Sequence, residues 1–151
     1  MDDTSLYDDR EDLRVYDEFE ESGFLERHAY SDFVRACMDF AEHEVVPRGR
    51  YVEPLANIAL GRDFMDGKVT KEDLADHRDR TWRNAIKLSE PDDNIDMVTI
   101  FFTDYEFLTD SPSPEQQDPF DFLFFHWLMQ VDSSLPRAFM DSLRKLDHHS
   151  E

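Results

Sequence analysis

The chain is poor in the residues that announce the commoner small-protein chemistries. It has one cysteine, Cys37, and only four glycines. A single thiol excludes a disulfide framework and a cysteine-based zinc site. So few glycines leave no glycine-rich phosphate loop, and no Gly-x-Ser-x-Gly nucleophile elbow occurs. Lysine is scarce, confined to Lys68, Lys71, Lys87 and Lys145. Long apolar runs are missing too. The longest, Phe122 to Met129, is too short to span a bilayer and is broken by His126. Met1 to Asp12 is acidic where a secretion signal would carry a basic segment, so the sequence predicts a cytoplasmic protein.

What is abundant is acid. Asp and Glu number 36 against 16 Lys and Arg, a net charge of −20. The bias is uneven: Met1 to Glu26 carries eleven acids against Arg10 and Arg14, which is −9 of that total. Such a field repels DNA, RNA and anionic membranes and draws in cationic proteins. Aromatic residues are the second excess, with 13 Phe, 5 Tyr and 2 Trp. A chain of 151 residues can bury roughly 70% of its unfolded surface. The expectation is therefore one acidic domain over 1–151 around a phenylalanine-rich core, with loose tails at 1–7 and 148–151. Part of Phe120, Phe124 and Trp127 is expected to exceed the core and line a partner groove.

Helical periodicity dominates the patterning. Leu13, Tyr16, Phe19 and Phe24 predict an amphipathic helix over Asp8 to His28, bent or ended at Gly23. A second is predicted over Asp32 to Val45, capped by Ser31 and closed by Pro47. A third runs from about Arg50 to Met65 on Tyr51, Leu55, Ile58, Ala59 and Arg62, with Pro54 in its first turn. Thr70 and Asp73 resemble a capping box opening a fourth helix, with Leu74, Arg78, Thr81, Trp82, Ala85 and Leu88 on its stripe. Asp92 to Asp110 reads as helix from Val98, Phe101, Phe102, Tyr105 and Leu108, although 97–103 has the β-branched and aromatic content of a strand. Asp118 and Pro119 then start a helix that is apolar nearly all round, and Ser134 with Pro136 starts the last. The predicted fold is an all-α bundle of about six or seven helices.

Motifs for chemistry are sparse. Asp39 with His43 and Asp73 with His77 are each four apart and share a helix face, but carboxylate–histidine pairs arise readily among 36 acids. No Glu-x-x-His or His-Glu-x-x-His pattern accompanies them. Asp92, Asp93 and Asp96 read first as an acidic helix start. Arg78, Arg80 and Arg83 suggest ion pairs, with Arg78 beside Trp82 on the apolar stripe. His126 reads as a hydrogen-bonded core histidine, or else as a pocket acid or base. Cys37, between Ala36 and Met38, reads as a buried hydrophobe whose thiol the nearby Asp39 and Glu42 would make harder to ionise.

The stretch Gly67-Lys68-Val69-Thr70-Lys71-Glu72-Asp73-Leu74, followed by Arg78 and Trp82, resembles a helical hairpin segment of immunity proteins from bacterial toxin systems. Their small, acidic, helical character is similar as well. The resemblance spans about 20 residues and implies a protein that covers a cognate toxin, without catalysis and without a cofactor. The functional expectation is an acidic inhibitor of a basic protein such as a toxin or nuclease. The expected contact residues are Asp8, Asp9, Asp12, Glu18, Glu20 and Glu21, with Asp92, Asp93 and Asp96. Two alternatives stand beside it: a small metal-dependent hydrolase using His43, His77 or His126, and a regulatory subunit that binds through its aromatic C-terminal helices. Low lysine and high acid also fit a salt-adapted cytoplasm, in which the charge serves solvation.

Overall fold

A computed structural model describes residues 10–50, 54–85, 92–110, 114 and 119–149, with backbone alone at 81–85, 92–93 and 147–149. The order is α1 (Glu11–Ser22), α2 (Phe24–Arg27), α3 (Tyr30–Phe40), α4 (Pro54–Met65), α5 (Lys71–Ala85), α6 (Asp92–Ile100), α7 (Tyr105–Thr109), α8 (Phe120–Val131) and α9 (Leu135–His149). A π-helical turn, Ala41–Val45, and a 3-10 turn, Val46–Arg48, prolong α3, and a second 3-10 turn, Phe101–Thr103, joins α6 to α7. Among the described residues there is no strand, so the all-α expectation holds; the single helix expected over 92–110 is instead α6, the 3-10 turn and α7, broken by the extended Asp104 that caps α7. No helix of the described chain is long and apolar enough to cross a membrane.

Local chemistry explains most of the boundaries. Gly23 sits at φ 69, in the left-handed region, and divides the predicted first helix into α1 and α2. α3 begins one residue before the expected Ser31 cap. Ala29 holds the N-cap position without a side-chain bond, and its carbonyl accepts the amides of Asp32 at 3.0 Å and Phe33 at 3.3 Å. Pro47 has no N–H to give to the carbonyl of His43, and the turn before it is wound wide: the Val46 N–H donates to Ala41 O, five residues back. The Thr70–Asp73 box forms in full. The Asp73 N–H donates to Thr70 Oγ1 at 3.1 Å, and the Thr70 N–H donates to Asp73 Oδ2 at 2.9 Å. Pro119, expected at the first helical position, occupies the N-cap of α8 instead. The expected caps at Asp118 and the Leu88 end of the fourth stripe lie outside the described residues. Ahead of α9, Asp132 Oδ1 accepts both the N–H of Ser134 at 2.8 Å and its hydroxyl at 2.6 Å. α9 runs to His149, into the stretch expected as a tail, while 1–7 is outside the description.

α8 is the central helix, with α1, α6 and α9 packed on it. Phe124, Phe125 and Leu128 on α8 are fully buried, as are Phe139 and Leu143 on α9. Phe139 is the hub: its ring lies 5.0 Å from Phe124, 5.3 Å from Phe125, 5.1 Å from Phe40 and 6.1 Å from Phe33. Offset and edge-on contacts at these separations add to the burial itself. The expected aromatic groove needs correction, because Phe120 and Phe124 are core residues and only Trp127 is half-buried, packed against the core.

α4 also departs from the sequence reading. It buries Pro54, Asn57, Ile58 and Gly61, while Leu55 stays 37% exposed and Ala59 faces outward. The buried stripe runs through an amide and a glycine, which an apolar pattern passes over. Gly61 is the point of closest approach. A Cβ there would stand 2.5 Å from the Phe102 carbonyl oxygen and 2.8 Å from Met38 Cε, so only glycine lets α4 rest on the Phe101–Thr103 turn.

Candidate functional site

The acidic surface expected at α1 divides into three kinds of carboxylate. The first is buried. Asp12 has no exposure and accepts from Arg10 Nε at 3.1 Å, Arg10 Nη2 at 3.2 Å and the Leu13 N–H at 2.9 Å. His126 Nδ1 lies 3.2 Å from Asp12 Oδ2 and reaches it across the α1–α8 contact. Burial alone pushes the Asp12 carboxyl up; the bonds from Arg10, His126 and Leu13 and the Arg10 charge outweigh it and hold the carboxyl below its ordinary range. Asp96, only 6% exposed, is likewise interior. Asp12 and Asp96 are thus removed from any exposed contact surface.

The second kind is committed to helix–helix bridges. Glu18 accepts from Arg137 Nη1 at 2.9 Å and Arg144 Nη2 at 3.1 Å, with a further bond from Arg137, and so ties α1 to α9. The bonds from Arg137 lead in holding its carboxyl below the usual range. Elsewhere Arg62 joins α4 to Asp39 (2.6 Å) and Glu42 (2.9 Å), Arg35 meets Asp66 at 3.0 Å, and Arg48 meets Asp132 at 3.1 Å. Much of the arginine is engaged in the fold's own seams.

The third kind is exposed. Asp17, Glu20 and Glu21 stand on the outer face of α1, with Glu26 on α2 and Asp32 in the first turn of α3. Positions 17, 20 and 21 share one helix face by their spacing. Of the expected contact residues, then, Glu20 and Glu21 are presented outward. Asp8 and Asp9 lie outside the described residues, as do the side chains of Asp92 and Asp93.

The histidines divide as sharply. His43 is 71% exposed beside Glu42, and its expected partner Asp39 is taken by Arg62. His77 faces Asn57 at 2.7 Å, while Asp73 is held in the capping box. Among the described residues no group of three or more His, Cys, Asp or Glu side chains gathers around a metal-sized site. The Asp12–His126 pair is a carboxylate-oriented imidazole, an ingredient of general-base chemistry. Among the described residues no bond links it to a hydroxyl or thiol, and burial pushes the Cys37 thiol well up, away from a nucleophile. Arg78 and Arg80 are both exposed, Arg78 included although it falls on the apolar stripe.

The residues that sequence reasoning missed are polar ones on apolar faces. Asn57, between Ala56 and Ile58, is 1% exposed, and Thr99, between Val98 and Ile100, is fully buried. Tyr16 gives its hydroxyl to Asp121 Oδ1 at 3.1 Å across the α1–α8 seam, and burial raises the Asp121 carboxyl. A polar residue flanked on both sides by apolar ones inside a helix is the signal that could have found Asn57 and Thr99. Comparison of the chain with protein-family models, with curated proteins and with solved structures returns no match.

Proposed function

We propose that this chain is an acidic binding protein that covers and neutralises a basic protein partner, in the manner of an immunity protein. The observation that carries the reading is the outward acid of α1, at Asp17, Glu20 and Glu21, in a protein of net charge −20 whose arginines are largely drawn into internal bridges. Charges on a contact rim act mainly on association: they steer encounter, and their effect fades with salt. The same field disfavours nucleic acid as the direct partner. The hydrolase alternative has weaker support, since the three candidate histidines are dispersed among an exposed edge, an amide and a buried carboxylate.

The test is capture from native lysate on the tagged full chain at low salt, identification of the retained protein, and kinetics with that protein remade in pure form. A basic partner should associate about tenfold or more slowly with the Glu20→Lys/Glu21→Lys double variant at low salt, and the difference should vanish at high salt. The Glu21→Lys change sets a cation one helical turn from Asp17, so the variant is expected to stay folded. An association rate and salt slope unchanged by the double reversal would refute the acid-face reading.

A further inference from the structure

A chain of hydrogen bonds runs through the interior from α5 to α6 by way of α4. His77 Nε2 lies 2.7 Å from Asn57 Oδ1, Asn57 Nδ2 donates to Thr99 Oγ1 at 3.0 Å, and Thr99 Oγ1 donates to the Asp96 carbonyl at 3.3 Å. The directions are fixed along the row. Thr99 gives its one proton to a carbonyl and receives the Asn57 N–H, which leaves Asn57 Oδ1 as an acceptor and makes His77 Nε2 its donor. Asn57 and Thr99 are shut off from solvent, so their bonds replace water that they cannot otherwise reach, while His77 at the end of the row is half-buried.

We propose that the His77–Asn57–Thr99 chain is an acid-sensitive latch, in which the neutral imidazole stitches α5 onto α4 and α6 and protonation of the ring loosens α5. The neutral ring already uses its single proton on Nε2. Acid adds a second at Nδ1 and places a full charge in a half-buried position. Arg80, one turn along α5, repels it, and Asp73, one turn back, is engaged with Thr70. From α4 the facing group is the uncharged Asn57 amide, and Arg62 on that helix is held by Asp39 and Glu42. On α6 the charged residue among the described side chains is Asp96, only 6% exposed and its carbonyl accepting from Thr99, and at α7 the Asp104 carboxylate accepts the Glu106 N–H as its cap. Burial first, then Arg80, push the His77 ring below its ordinary value. A ring lowered on folding favours the folded state fully above its unfolded value of about 6.5, and that contribution is lost as pH falls through the lower folded value. The latch is independent of the partner assigned to the acid face.

Hydrogen exchange on the full chain between pH 7.5 and 5.0, corrected for intrinsic rates, reads the latch directly. The α5 amides should lose protection by about tenfold or more in acid while those of α8 hold. His77→Gln, which can donate to Asn57 without titrating, should remove the pH dependence, and His77→Ala should leave α5 loose at both pH values. An unchanged α5, or the same acid loss in His77→Gln, overturns the proposal. Should His77→Gln fail to fold, the ring titration of the native chain by NMR decides: α5 protection that falls from about pH 6.5 and levels off at the ring's own midpoint supports the latch, and protection that does not fall above that midpoint, or keeps falling below it, overturns it.

Discussion

Replacing Gly61 by alanine sets two effects of opposite sign against each other inside one helix. Alanine in place of glycine in a helix interior gains about 1 kcal/mol from propensity and lower unfolded-state entropy. Against that, the new Cβ would lie 2.5 Å from the backbone oxygen of Phe102, 2.8 Å from Met38 Cε and 3.0 Å from Phe102 Cβ. The Met38 terminus can swing aside, but the carbonyl belongs to a 3-10 turn anchored on both sides by α6 and α7, so α4 must move bodily. Overpacking of that kind costs about 1–3 kcal/mol or more, and the carbonyl contact puts this site at the upper end. The net expectation is a loss of about 1–2 kcal/mol, the balance of those two terms. For a chain of this length that is a fall in Tm of roughly 2–8 °C. Denaturant melts of Gly61→Ala beside Ala59→Gly, on the exposed face of the same helix, separate the terms. Ala59→Gly should cost about 1 kcal/mol through propensity alone. A Gly61→Ala protein as stable as the native chain, or more so, would refute the close approach of α4 to Phe101–Thr103.

Two further perturbations test other seams. Thr70→Ala removes the hydroxyl that accepts the Asp73 N–H and should cost about 1 kcal/mol in a urea melt, with helix loss confined to α5. Asp12→Asn should destabilise by about 1–3 kcal/mol at neutral pH, the range for hydrogen bonds to a charged group, discounted because Arg10 and His126 can turn to water. Since folding lowers the Asp12 carboxyl, its contribution is complete above the unfolded value of about 3.9 and is lost as pH falls through the folded one. The native and Asp12→Asn stability curves should therefore converge in acid, and a constant gap down to acid unfolding would contradict that.

The helices were legible in the sequence wherever a local rule set them. Gly23 ended α1, Thr70 and Asp73 capped α5, and the period through Val98, Phe102 and Tyr105 outweighed the strand-like composition of 97–103. What failed needed three-dimensional neighbours. The face of α4 turned on Gly61 meeting a carbonyl and on Asn57 finding His77 and Thr99, neither of which has an apolar signature. The acid surface failed in part for the same reason. Charge counting treats Asp12, Glu18 and Glu20 alike, whereas one is interior, one is bridged and one is exposed, according to which arginine or histidine lies across the seam.

The wide turn at Ala41–Val45 bears on how this chain tolerates length change. An i→i+5 bond stores one residue more than an ordinary helical turn needs, and here it sits inside an otherwise continuous rod from Tyr30 to Arg48. Exposed His43 and Glu44 lie within it, while Ala41, Val45 and Val46 face inward. Removing one of those two outward residues would let the rod close with i→i+4 bonds and keep its inward side apolar. Most helices in a packed core absorb a single-residue deletion by rotating everything downstream through about 100°. Here the spare residue is already wound into the helix, and a shortened chain could shed it without unthreading the Arg48–Asp132 tie that follows.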